Sequence, residues 1–430
     1  MLQPPAALSI LVGMLALLDA GAPGRAENWP RFRGPGGMGH TTDADLPVRW
    51  GGKDKENVLW SAPLVGRGHA SPIVWGDRVF ICTVNWPATV KDRTKVIPDH
   101  HVLCYRASDG KRLWDTTIPP GQWLRTDFRS GPGGGYAAPT PTTDGKYVYC
   151  AFGSSVIAAV DFHGKIAWRK EIEPHTFDVT VGSSPILYGR TVILLCAMAK
   201  KSDSRIVAFD RDSGDVAWEA RLPTTGFGHS TPIVINVAGK DQMIVAASAS
   251  SKALDALQSF APGSGKRLWW CWGCADAASP VYGAGVVYVD SGRGGPGVAV
   301  DPTGRGDVTE THVKWKLRNV AGSIGSPIIA AKHLYRLHGQ YVDCWRADTG
   351  ERVFSKKLPG ISSAWASPVA DARGRVYFAN AGKSYVLKAG GDFEVLAVND
   401  LGDGNHPSPA VANGRMFLVG MKNVFCIGAR

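Results

Sequence analysis

Ser71-Pro72-Ile73-Val74-Trp75-Gly76-Asp77-Arg78-Val79-Phe80-Ile81 carries the reading of the whole chain. A small or polar residue and a proline open a short apolar run. Gly76-Asp77 then signals a turn, and a second apolar run returns. The opening recurs at Ala138-Pro139, Ser184-Pro185, Thr231-Pro232, Ser279-Pro280, Ser326-Pro327, Ser367-Pro368 and Ser408-Pro409. The proline-to-proline steps are 67, 46, 47, 48, 47, 41 and 41 residues. A recurrence near 40–50 residues marks a repeat architecture.

Each copy continues alike. A third apolar run follows, as in Val102-Leu103-Cys104-Tyr105, then a glycine turn and a run reaching tryptophan, as in Asp109-Gly110-Lys111-Arg112-Leu113-Trp114. The turn recurs at Gly164 to Trp168, Gly214 to Trp218 and Gly265 to Trp269, and more weakly at Gly350 to Phe354. Glycine supplies the positive φ of a tight connection. Tryptophan buries enough area to wedge one repeat against the next. Trp60, Trp114, Trp168, Trp218, Trp269, Trp315 and Phe354 are therefore expected to dock neighbouring repeats. Four strands per period describe the blade of a β-propeller. Helical repeats would need long proline-free stretches of period 3.6, and none occurs. The 52 glycines and 28 prolines agree with many short strands.

The expected fold is thus all-β, an eight-bladed propeller of four-stranded antiparallel blades over 57–430. The eighth copy ends after three strands, at Val424-Phe425-Cys426-Ile427. Asn57-Val58-Leu59-Trp60 matches the missing fourth strand, so the N-terminal strand is expected to close the ring against residues 423–428. Closure removes the edges that would otherwise aggregate. Ahead of it, residues 1–26 read as a signal peptide: Ala6 to Leu18 is apolar but short for a span, and Gly24-Arg25-Ala26 offers a cleavage site. Residues 27–56 form a leader segment. No other apolar stretch reaches membrane length, so the reading is a periplasmic or secreted monomer without a membrane span. The net charge of +11 is scattered, which argues against a nucleic-acid arm and for a basic, soluble surface.

The glycine-to-tryptophan motif, together with the Ser-Pro strand start, resembles the pyrroloquinoline-quinone-type propeller repeat over 57–430. Asn28-Trp29-Pro30-Arg31-Phe32-Arg33-Gly34-Pro35 is similar to the leader before such propellers in exported bacterial proteins. The resemblance implies one of two roles. One branch holds quinoprotein dehydrogenases, which carry the quinone and a calcium ion over the central channel. The other holds non-catalytic propellers that bind proteins, such as the outer-membrane protein assembly propeller. Alcohol-dehydrogenase members carry two adjacent cysteines over the cofactor and long pocket-walling insertions. Here no two cysteines are adjacent, and insertions are confined to 85–101 and 117–136. The favoured reading is a non-catalytic scaffold binding an envelope protein or polysaccharide, with no cofactor. The alternative is a quinone (PQQ)-dependent dehydrogenase of alcohols or sugars, with calcium.

Candidate ligand-binding residues come from position. Three residues before each repeat's proline stand His69, Tyr136, Gly182, His229, Ala277, Ile324, Trp365 and His406. Equivalent positions in a propeller ring one end of the channel, so His69, Tyr136, His229, Trp365 and His406 are expected at a channel mouth. Six cysteines fall in strand slots and read as core. Cys271 and Cys274 remain, as a local disulfide or two inert thiols. No metal-ligand spacing and no nucleophile–base pair emerges. Gly292-Arg293-Gly294-Gly295-Pro296-Gly297 has the letters of a dinucleotide motif but precedes a strand, not a helix, and reads as a connection.

Overall fold

A computed structural model describes residues 27–124, 135–173, 181–198, 200–222, 228–247, 257–273, 275–361 and 365–429. The expected signal peptide, and 125–134 of the second insertion, lie outside these ranges. Eight antiparallel sheets follow one another in sequence. The first blade is Ile73–Trp75, Arg78–Asn85, Asp99–Arg106 and Arg112–Ile118. In the first seven blades the strand nearest the channel comes first in the chain and the outer strand follows the middle two.

Packing explains the sequence pattern. The second and third strands face other blades on both sides, so Thr191–Cys196 is an unbroken apolar run buried throughout after its first residue. Outermost strands such as Val313–Val320 alternate between half-buried and exposed residues over most of their length, as a strand with one covered face should. Phe80, Cys82 and Cys104 of blade one pack with Val148, Cys150 and Ala158 of blade two in one apolar cluster.

The ring closes as the sequence implies. Val58–Pro63 pairs antiparallel with Asn423–Gly428 and becomes the fourth strand of blade eight, with Trp60 opposite Cys426. Indole rings bridge the blades. Trp60 Nε1 donates to the Ala107 carbonyl of blade one at 2.9 Å, Trp114 to Phe162 of blade two at 3.0 Å, and Trp168 to Arg211 of blade three at 2.9 Å. Trp315 donates to Ala347 of blade six at 3.2 Å. Trp218 lies so close over the turn of blade four that a Cβ on Gly265 would stand 2.6 Å from its ring. Phe354 meets Phe393 of blade seven edge-on at 5.5 Å.

Trp269 differs from the other indoles. It is wholly buried and donates at 2.7 Å to Gln242 of its own blade, whose amide nitrogen donates at 3.0 Å to Pro302 of blade five. The cause is the longer turn of blade five, where Gly306–Asp307 adds a short parallel strand beside Arg267–Cys271.

A second set of links encircles the channel. The Ser71 amide donates to the Thr140 hydroxyl at 3.0 Å, Thr140 to Ser184 at 3.0 Å, Ser184 to Thr231 at 3.1 Å and Thr231 to Ser279 at 2.9 Å. Ser279 then donates to Ser326 at 3.0 Å, Ser326 to Ser367 at 3.0 Å, Ser367 to Ser408 at 2.9 Å, and Ser408 back to Ser71 at 2.9 Å. The repeated Ser/Thr-Pro pair is therefore a hydrogen-bonded girdle in which every blade satisfies its neighbour's buried amide. The girdle also corrects the register of blade two. Its member is Thr140-Pro141, not Ala138-Pro139, because alanine has no hydroxyl to accept the Ser71 amide. The innermost strand accordingly starts at Thr142.

The leader threads across the channel face of the blades. Trp29 exchanges backbone hydrogen bonds with Val74 of blade one, and Pro30 accepts from Thr143 of blade two. Gly39 and Thr41 pair with Ala370 of blade seven, and Asp43 accepts from the Gly414 amide of blade eight.

Candidate functional site

The hydroxyl girdle has a mouth on the side of the residues that precede it. Three consecutive blades meet there. The Trp365 and His406 rings stack at 4.2 Å and 25°. His69 lies 4.9 Å from His406 and 6.3 Å from Trp365, edge-on to the indole. Their backbones are held firmly. His69 donates to the Ala137 carbonyl at 2.9 Å. The His406 amide donates to the Asn405 side chain, whose amide nitrogen donates in turn to Gly68 and Gly420 across the seam between blades one and eight.

Beside this stack opens a cleft of ≈ 500 Å³, lined among others by Arg293, Ser323, Ile324, Gln340, Trp365 and His406. Arg293 is half exposed and ion-paired to Asp276. Its loop is the glycine-rich connection 292–297, which leads into the strand Gly295–Val300. The floor rests on a buried ion pair, Arg336 to Asp290 at 2.7 Å. Arg336 also donates to the Ser323 and Gly325 carbonyls, while Asp290 accepts from the Gly292 amide at 2.9 Å and from the Tyr288 hydroxyl at 3.1 Å. One salt bridge thereby ties together the two loops that wall the cleft. Burial, and then the neighbouring His69, push the His406 imidazole down to about 4, so it is neutral near pH 7.

The other two positional candidates stand apart from this cluster. Tyr136 is fully buried, with its ring 6.0 Å from both Trp86 and His100 in the seam between blades one and two. The shifted register of blade two explains this, since the residue three before Pro141 is Ala138. His229 lies over Gly182 of blade three, where a Cβ would stand 2.0 Å from its Nδ1, and its backbone amide donates at 3.1 Å to the carbonyl of Asp276, the partner of Arg293. Cys271 is buried, and its suggested partner Cys274 lies outside the described residues. Positional reasoning missed Arg293, Asp290 and Arg336. A signal for the last was available, because Arg336 interrupts the apolar run of His333–His338 at a core position.

An aromatic–imidazole face beside a guanidinium suits a planar or ring-shaped group, stacked and hydrogen-bonded at an open surface. A calcium-held quinone asks for more, namely oxygen donors converging on the cation. Among the described residues no three His, Cys, Asp or Glu side chains stand close enough to hold a metal ion, and Asp276 is engaged by Arg293. Among the described residues no helix is long and apolar enough to cross a membrane.

A sequence-family profile described as outer membrane protein assembly factor BamB matches residues 88–294. No curated protein sequence matches the chain. Among solved structures the chain is similar to BamB from Moraxella catarrhalis, at 13% identity, with 87% of this chain and 97% of that one covered and a TM-score of 0.59. It is similar to a europium-containing methanol dehydrogenase at 12% identity, with 93% and 89% covered and a TM-score of 0.64. It is also similar to the quinohemoprotein alcohol dehydrogenase from Comamonas testosteroni at 13% identity, with 94% and 81% covered and a TM-score of 0.66. At such identities the likeness speaks for the fold alone. The chain is an eight-bladed β-propeller, alike in fold to an assembly factor and to two dehydrogenases, and its residues 88–294 match the assembly-factor profile.

Proposed function

We propose that the chain is an exported, non-catalytic propeller that binds a protein or polymer of the cell envelope at the mouth formed by blades five to eight and blade one. The observation that carries this reading is the Trp365–His406 stack, with His69 behind it, at the edge of an open cleft with Arg293 across it. Aromatic faces and a guanidinium on a rigid scaffold are the usual anchors of a binding surface. The profile match to an assembly factor supports a protein partner. The apolar run Ala6 to Leu18 supports export.

The test places a photo-crosslinking residue at exposed Gln340 on the cleft, and at Val216 on an outermost strand as control, in cells of the native host. A discrete adduct from position 340 that is absent from 216, and that is lost on Trp365→Ala with His406→Ala, supports the reading. No adduct, or the same adduct from both positions, contradicts it. A ladder of polymer-sized adducts would identify a polysaccharide. The alternative, a PQQ-dependent dehydrogenase, draws on the same stacked Trp365, which offers a planar quinone one face.

A further inference from the structure

Arg31 and Arg33 occupy positions that arginine rarely takes. They are only 7% and 2% exposed. Arg31 Nη2 donates to the Pro232 carbonyl of blade four at 2.7 Å, and Arg33 Nη2 to the Pro327 carbonyl of blade six at 2.6 Å and to Met38 at 3.0 Å. Both prolines directly follow girdle residues, so the two guanidiniums lie inside the channel, past the girdle from the mouth. Part of their hydrogen-bonding capacity is unused: Nε of Arg31, and Nε and Nη1 of Arg33, are buried without a partner.

The chain is bent to put them there. Arg33 itself has φ 62°, a left-handed conformation that strains a non-glycine residue. Gly37 packs so tightly on Arg31 that a Cβ would stand 2.8 Å from Nη2. The three leader carboxylates nearest in sequence are engaged elsewhere: Glu27 accepts from the Thr42 amide, Asp43 from Gly414, and Asp45 pairs with Arg373. Burial, and then the like charge of Arg31, push the Arg33 guanidinium down to about 9. Two like charges held out of water need a counter-charge, because an unpaired ion is costly to bury.

We propose that Arg31 and Arg33 bind a small inorganic anion, of the chloride or phosphate kind, inside the propeller channel. The anion accepts from Nε of Arg31 and from Nε and Nη1 of Arg33, which are charge-assisted donors suited to it. It cements the leader to blades four and six. This site is separate from the mouth and does not depend on what the mouth binds.

The experiment uses the purified full chain in gluconate buffer at fixed ionic strength. Chloride or inorganic phosphate replaces gluconate stepwise while thermal unfolding is recorded. A ligand of the folded state raises Tm along a saturable curve. The expected result is such a curve with chloride, with phosphate, or with both, the tighter of the two naming the anion. Arg31→Met and Arg33→Met should each weaken the apparent affinity at least tenfold. Chloride-35 line broadening on the folded wild type, abolished by Arg31→Met or competed away by phosphate, supports the site even if Arg33→Met fails to fold. A flat or linear dependence of wild-type Tm on both anions, or a saturable one unchanged in both variants, overturns the proposal.

Discussion

The backbone amide of Ser408 donates to the hydroxyl of Ser71 at 2.9 Å, joining blade eight to blade one across 337 residues of chain. This bond completes a circle of eight equivalent bonds and sits above a second closure, the pairing of Val58–Pro63 with Asn423–Gly428. The ring is thus locked once at its inner rim by side chains and once at its outer edge by a strand.

Removing one hydroxyl from the girdle strands a buried amide. Ser279→Ala should cost about 1–3 kcal/mol, the penalty of an unsatisfied buried donor, because the Thr231 amide has no other acceptor in the circle. Urea unfolding checks this against Ser202→Ala at an exposed site, which should change stability by less than about 0.5 kcal/mol. Equal effects at the two sites would remove the girdle from the account of stability.

The blade-docking indoles make a different prediction. Gly265→Ala must accept both φ +69 and a Cβ 2.6 Å from the Trp218 ring. Gly239→Ala accepts φ +79 with nothing within 4 Å. The second should cost about 1 kcal/mol, the backbone penalty alone. The first should cost more by a further 1–3 kcal/mol, on the order of other overpacking substitutions. Equal losses would mean that Trp218 has room to move and does not fix the blade spacing.

The eightfold count and the closing strand were legible in the sequence because both are written in local chemistry: a proline, a glycine turn and an aromatic at constant spacing. The register of blade two was not. Pro139 and Pro141 stand two residues apart, and only the need for a hydroxyl acceptor selects Thr140-Pro141. Tyr136 was drawn into the candidate ring by that shift. His69, Trp365 and His406 do come together, since equivalent positions on adjacent blades are neighbours in space. Arg31 and Arg33 gave no such signal. Their partners, Pro232 and Pro327, lie 201 and 294 residues away, and charged residues in a polar leader read as surface.

Acid should weaken the fold through His406. Its imidazole is held at about 4 in the folded chain, against an ordinary value of 6.5. As pH falls, the unfolded chain takes up the proton first. The stability contributed by the neutral ring is therefore whole above about 6.5 and is lost progressively toward about 4. His406→Gln should show a smaller fall in urea midpoint between these pH values than the wild type. Parallel pH profiles would show that burial of His406 does not perturb its titration.

Pyrroloquinoline quinone with calcium should leave the purified protein spectrally unchanged and without dye-linked oxidation of alcohols or sugars. Absorbance titration and a dye-reduction assay check this. A stoichiometric spectral change with turnover would move the chain to the dehydrogenase reading and make Trp365 the first residue to substitute.

The most direct test of the closed ring is hydrogen–deuterium exchange of the intact protein, read separately at residues 58–63 and 423–428. The account predicts that the two strands, 360 residues apart in sequence, are equally protected and exchange together, as partners in one sheet. Rapid exchange at 58–63 while 423–428 stays protected would contradict it, since blade eight would then stand open at its edge.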